Sequence, residues 1–143
     1  MGTVENQLPD IRQTIVIHAP IEKVWEKVST SEGIAAWFMP NDFEPVVGHE
    51  FHIQSPFGPS PCKVTEVDPP HRITFNWDTE GWFVTFLLKE AGEDTEFTLI
   101  HGGWKQPDYI MNKTGRPASE IRDTMNHGWT EILEQFRSLL ESR

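Results

Sequence analysis

Ser119-Glu120-Ile121-Arg122-Asp123-Thr124-Met125-Asn126-His127-Gly128-Trp129-Thr130-Glu131-Ile132-Leu133-Glu134-Gln135-Phe136-Arg137-Ser138-Leu139-Leu140 is the stretch on which the fold turns. Ile121, Met125, Trp129, Ile132, Phe136, Leu139 and Leu140 recur at i, i+3, i+4, i+7, and Glu120, Arg122, Asp123, Glu131, Glu134 and Arg137 take the other side. The pattern predicts one amphipathic helix with Ser119 as its N-cap. About 23 residues at 1.5 Å each make a rod about 35 Å long.

Everything upstream reads differently. Residues 102 to 118 carry Gly102, Gly103, Pro107, Gly115 and Pro117 and form a long loop. Before it, Phe51 to Ser55, Lys63 to Val67, Arg72 to Trp77, Trp82 to Lys89 and Thr95 to His101 alternate as strands. The separators are a wide turn over Pro56 to Pro61, Asp68-Pro69-Pro70, Asp78 to Gly81, and Ala91 to Asp94. Successive hairpins make an antiparallel meander. Trp82 to Lys89 is apolar on both sides, which predicts a central strand covered on both faces.

The N-terminal part opens with another strand, Ile11 to His18. Pro20 then stands at the first position of a helix whose inner face is Ile21, Val24, Trp25 and Val28. Ser29-Thr30-Ser31-Glu32 has the form of a capping box and opens a second helix carrying Ile34, Trp37 and Phe38, stopped by Pro40-Asn41-Asp42. Residues 1–9 are polar and read as a flexible leader outside the fold, leaving 10–143 as one domain.

The order strand, two short helices, about six strands and a long helix defines an α+β class. Seven strands at about 4.8 Å span roughly 30 Å, whereas a helix with its side chains is about 10 to 12 Å across. A flat sheet would stay mostly uncovered, so the sheet must curl around the helix. The lengthwise space this leaves is either packed solid or a ligand pocket.

Composition narrows the function. Lys plus Arg number 12 against 22 Asp plus Glu, a formal charge of −10. Nucleic acid and anionic membrane need clustered cations, so neither is an expected partner. Cys62 is the only cysteine, which excludes an internal disulfide and a multi-Cys zinc site. No apolar run approaches the roughly 18 residues of a spanning helix, and a reducing cytoplasm is the expected compartment.

The aromatic set Trp37, Phe38, Phe57, Trp77, Phe86, Trp104, Tyr109 and Trp129 is the candidate lining for a flat apolar ligand, with Met39, Met111 and Met125 as adaptable fillers. Core packing is the equal alternative for Trp77, Phe86 and Trp129. Trp104 and Tyr109, in the long loop, suit a lid. His101, at the end of a strand, and His127, beside Trp129, are candidate polar anchors for a ligand carbonyl or phenol should they meet in the cavity, and a satisfied half-buried histidine is the commoner alternative. His49 and His52 are spaced to point to opposite faces and are not expected to hold a metal. No Gly-x-Ser-x-Gly elbow, Walker loop or dinucleotide fingerprint occurs, Cys62 has only Lys63 as a basic neighbour, and Asp78 and Glu80 sit in a turn. No catalytic residue and no cofactor is expected. Acid–base chemistry would have to fall to His101, His127 or Tyr109.

Three ordered blocks carry a family resemblance. They are His18-Ala19-Pro20-Ile21-Glu22-Lys23-Val24-Trp25 with Ser31-Glu32-Gly33-Ile34-Ala35-Ala36-Trp37-Phe38, then Glu66-Val67-Asp68-Pro69-Pro70-His71-Arg72-Ile73-Thr74-Phe75-Asn76-Trp77, then Gly128-Trp129 with Ile132-Leu133. Over about residues 10 to 141 the chain resembles the family of activator of heat-shock protein 90 ATPase homologues. That family lies within the superfamily of START, birch-pollen-allergen and polyketide cyclase domains. The resemblance implies a helix-grip fold. It also implies binding of a small hydrophobic or aromatic molecule such as a lipid, polyketide or flavonoid, as in most bacterial members. Co-chaperone modules, with a chaperone as partner, and aromatase or cyclase enzymes are the alternatives among relatives.

Overall fold

The computed structural model describes residues 7–55, 58–77, 81–111 and 115–141. Its elements follow the order β1 (Ile11–Ile17), α1 (Ile21–Val28), α2 (Ser31–Trp37), β2 (Glu50–Ser55), β3 (Gly58–Asp68), β4 (Arg72–Trp77), β5 (Trp82–Ala91), β6 (Asp94–Gly102) and α3 (Ala118–Glu141). The strands form one antiparallel sheet in the order β1-β6-β5-β4-β3-β2, so β5 is central and β1 crosses over to pair with β6. The curved sheet and its long C-terminal helix make the α+β helix-grip arrangement.

Five strands follow the helices among the described residues, one fewer than predicted. Residues 40–43 run beside β2 with a single bridge, Asn41 to Ile53. Pro40 has no N–H to donate, and the Asn41 side chain takes over local backbone groups, donating to Met39 O at 2.9 Å and accepting from Phe43 N at 2.9 Å. The segment still shields the β2 edge, since Gln54 N donates to Pro40 O (2.9 Å) and His52 N to Asp42 Oδ1 (2.6 Å).

The wide turn expected over Pro56 to Pro61 is largely strand. β3 begins at Gly58, paired with Ser55, and continues through Pro59 and Pro61. Val64 exchanges bonds with the 48–49 backbone (Val64 N to His49 O 3.0 Å, Gly48 N to Val64 O 2.8 Å). Alternation then directs the N–H of Ser60 and Cys62 to β2 and positions 59 and 61 away from it. Pairing with β4 starts only at Cys62, so the prolines occupy an edge where no ladder bond is lost.

Helix starts differ from the prediction by one or two residues. Thr30, not Ser29, caps α2, its hydroxyl accepting from Gly33 N at 2.9 Å; Ser29 ends α1 and donates to Trp25 O. Pro20 is the N-cap of α1 rather than its first residue. α3 starts from the carbonyl of Pro117, which accepts from Glu120 N and Ile121 N, so Ser119 lies inside the first turn. Gly33 lets α2 cross α1 closely: a Cβ there would lie 2.7 Å from both Glu26 O and Lys27 Cα. Leu8 packs on the core and donates to Lys105 O at 3.1 Å, and Arg122 Nε donates to Pro9 O at 2.8 Å.

The core sits between the sheet's inner face and the helices. In β5, Val84, Phe86 and Leu88 face inward, whereas Phe83 and Leu87 are only partly buried, so the expected cover on the outer face is absent among the described residues. That face is polar instead, with hydroxyl pairs Thr14–Thr98 and Thr74–Thr85, each at 2.9 Å. In α3 the buried stripe runs Ile121, Trp129, Leu133, Phe136, Leu140. Leu133 replaces Leu139, which is exposed, and Ile132 is only partly buried: positions 132 and 139 are seven apart and share the flank of the stripe.

Trp37 is the centre of the packing. It stacks on Phe136 at 4.3 Å, meets Phe86 edge-on at 5.5 Å and Phe97 at 6.2 Å, and its indole N–H donates to Lys27 O at 2.9 Å. Phe136→Ala is expected to cost about 3–5 kcal/mol by opening a cavity at this point. Leu139→Ala, one helical position off the stripe, should cost under about 0.5 kcal/mol. Urea denaturation of both variants checks the register of α3.

Candidate functional site

One end of the interior is polar where the rest is apolar. His101, near the end of β6, is fully buried, paired with Ile11 on one side and Val84 on the other. Four indoles surround it. Trp82 lies 4.7 Å from its ring, Trp104 4.9 Å, Trp77 5.4 Å and Trp129 6.1 Å, centroid to centroid. Trp77 and Trp82 are direct cross-strand partners on β4 and β5, so antiparallel register puts both rings on the inner face beside the histidine. Trp104 comes from the loop after β6 and Trp129 from α3.

Hydrogen bonding assigns the imidazole's proton. Trp129 Nε1–H donates to Nδ1 of His101 at 3.0 Å, and an indole is only a donor, so Nδ1 is the bare nitrogen and Nε2 carries the hydrogen. Trp104 Nε1–H donates to the His101 carbonyl at 3.0 Å. Nε2 of His101, Nε1 of Trp77 and Nε1 of Trp82 have no partner. They are three of the four buried side-chain polar atoms left unpaired among the described residues, the fourth being Arg137 Nε. All three are N–H donors on rings in mutual contact.

The charge state follows from burial. Removal from water, and second to it the positive charge of Arg122, pushes the His101 imidazole down from 6.5 to about 3. Arg122 itself is tied to the chain start, donating to Pro9 O and Asp10 O. His101 is therefore neutral at pH 7.

Phe38 closes this end. It is only partly buried, and its ring stacks on Trp129 at 5.1 Å, meets Trp77 edge-on at 5.7 Å and lies 5.8 Å from Trp37. One side chain from the end of α2 thus touches α3 and β4 together. Met39 follows it in the chain, and Met125 lies one turn before Trp129; both are partly buried against the core.

Of the predicted lining residues, the structure brings Phe38, Trp77, His101, Trp104 and Trp129 together, while Met39 and Met125 are partly buried against the core. Trp37 and Phe86 are buried within the packed middle of the core. Tyr109 is 37% exposed, with Lys105 Nζ 5.8 Å from its ring centroid, whereas Trp104 of the same loop is buried. Phe57 lies outside the described residues. His127 does not meet His101 but points to solvent, because two positions along a helix turn it about 200° from Trp129. His49 bonds through its ring to Asp42 O at 3.0 Å and His52 is exposed. Trp82, not among the expected lining residues, joins them because in-register pairing of Trp77 with Trp82 sets the two indoles side by side, a juxtaposition signalled by the turn between the two strands. A separate groove of about 330 Å³ is lined by residues of β2 to β4 including Phe51, His52, Cys62 and Asn76, and neither His101 nor any of the four indoles lines it. No helix of the described residues is long and apolar enough to cross a membrane.

A curved six-stranded sheet gripping a long helix, with an aromatic end to its interior, is the architecture of small helix-grip domains. The chain belongs to the family described as activator of Hsp90 ATPase homolog 1-like protein, whose model matches residues 18–141. Among solved structures it is similar to protein BH1534 from Bacillus halodurans, with 51% identity, TM-score 0.89, and coverage of 95% of this chain and 99% of that one. It is also similar to DynU16, a putative protein in the dynemicin biosynthetic locus, at 25% identity and TM-score 0.73 over 93% of this chain and 47% of that one. The Aha1 dimer from Colwellia psychrerythraea shares the fold at 20% identity, with TM-score 0.76 over 94% and 97% of the two chains. No curated protein matches the chain.

The buried imidazole sets a pH dependence. Between pH 6.5 and about 3 the unfolded chain takes up a proton that folded His101 refuses. Its stabilising share is complete above the unfolded value and shrinks as pH falls, by up to about 1.4 kcal/mol per pH unit. His101→Gln keeps an acceptor for Trp129 and does not titrate. Urea denaturation at pH 7 and pH 5 should show the variant losing about 2 kcal/mol less than the parent between the two conditions. Equal losses would mean that the folded imidazole protonates freely.

Proposed function

We propose that this protein binds a small, planar, largely apolar molecule, of the lipid, polyketide or flavonoid-like kind, at the indole-lined end of the interior between the sheet and α3. The observation that carries this is Phe38, a half-buried aromatic ring lying between α2, α3 and β4 where the core would otherwise be sealed. The middle of the interior is filled by Trp37, Phe86, Phe97 and Phe136, so a ligand enters at one end and takes the place of the Phe38 ring against Trp129. Offset stacking on an indole suits a flat ring, and Met39 and Met125 adapt to different outlines. Removal of apolar area from water, at about 25 cal/mol per Å², drives association. The family's helix-grip fold and the place of DynU16 in a biosynthetic locus support a small molecule over a macromolecule as the ligand.

Binding is favoured over turnover by the state of His101. A group with a pKa of about 3 is far from the poise that proton transfer needs near neutral pH, and it serves as a fixed hydrogen-bond donor instead. Titration of ¹⁵N-labelled protein with flavone, with anthraquinone and with a C16 fatty acid tests the proposal. Amide shifts are expected at residues 38–39, 77, 82–86, 101–104 and 125–129. Silence toward all three ligands, or shifts confined to the β2–β3 groove, would move the function to the protein surface, where a chaperone or another protein is the partner.

A further inference from the structure

We propose that the ligand carries a bare oxygen acceptor, an uncharged carbonyl, which docks among the three unpaired donors His101 Nε2–H, Trp77 Nε1–H and Trp82 Nε1–H and accepts from two of them at once. The inference rests on the binding function proposed above and specifies its chemistry. Buried N–H groups almost always have partners, because one left unpaired costs about 1–3 kcal/mol. Here three are left unpaired in one place, on rings whose centroids lie 4.7 to 5.4 Å apart. Neighbouring ring faces recover only a fraction of what an oxygen acceptor supplies.

The sign of the site is fixed by Trp129. Its N–H occupies Nδ1 of His101, so the imidazole cannot turn its accepting nitrogen to a ligand. Trp77 and Trp82 have no accepting nitrogen at all. A hydroxyl or amine that must donate finds no acceptor among these three groups, whereas a carbonyl with two lone pairs satisfies two of them at once. An anion is disfavoured: Arg122, the cation whose charge reaches His101, is engaged with Pro9 O and Asp10 O, and an ion in such an apolar site loses hydration that neutral donors do not replace. Trp129 is thus a positioning residue, acting through the tautomer of His101.

Fluorenone, 9-fluorenol and fluorene share one planar outline and differ only at the position that bears C=O, CH–OH or CH₂. Fluorenone is expected to bind at least about tenfold more tightly than fluorene and more tightly than fluorenol. It alone should move the indole Nε1–H resonances of Trp77 and Trp82 downfield. Equal affinities for fluorenone and fluorene would overturn the acceptor proposal while leaving apolar binding intact. Failure of all three to bind, together with silence in the flavone, anthraquinone and fatty-acid titration, would remove the binding function itself. Long-range ¹H–¹⁵N spectra of the unliganded protein give an independent check: the proposal requires the Nε2–H tautomer of His101, and an Nδ1–H pattern would refute it. In Trp129→Phe the tautomer is released, and the ratio of fluorenone to fluorene affinity should fall toward one; an unchanged ratio would refute the positioning role.

Discussion

A helix about 10–12 Å across has to cover a sheet of six strands whose five spacings add to about 24 Å, and this mismatch shapes the whole molecule. The sheet curves to follow the helix, and bulky side chains fill the hollow that curvature leaves. Trp37 does so in the middle, reached from α2 and held by stacking on Phe136 of α3. At the other end the filling is done by four indoles and an imidazole, and there polarity intrudes on the apolar interior.

The middle of the interior and its indole-lined end therefore differ in kind. Around Trp37 the polar requirement is met, its indole N–H bound to Lys27 O, and rings close on one another. Around His101 the requirement is met on one nitrogen and left open on the other, with two further indole donors open beside it. A closed, satisfied cluster stabilises the fold; an open, unsatisfied one costs stability and persists where a ligand completes it. The partly buried Phe38 sits between the two, stacked on both Trp37 and Trp129.

Much of this was legible in the chain because periodicity is local. Helical spacing from Ile121 to Leu140 and alternation from Arg72 to Trp77 and from Trp82 to Lys89 identify elements without knowledge of their neighbours. The departures arise where a partner decides. Thr30 caps α2 instead of Ser29 because Ser29 closes α1, and Pro59 and Pro61 enter β3 because β4 does not extend beside that stretch and no ladder bond is lost. Leu133 takes the place of Leu139 in the buried stripe because the sheet fixes how α3 is rotated about its axis.

The candidate site divides along the same line. Sequence alone determined the α+β order, the antiparallel meander, the long final helix and the presence of large aromatics on inward-facing positions, since each depends on spacing within a few residues. Only the tertiary structure decided that Trp129 rather than His127 reaches His101, that Trp82 joins the cluster, and that three buried N–H groups there have no acceptor. Those facts depend on how residues far apart in the chain meet across a curved sheet, and no local pattern encodes the angle at which a helix lies in its grip.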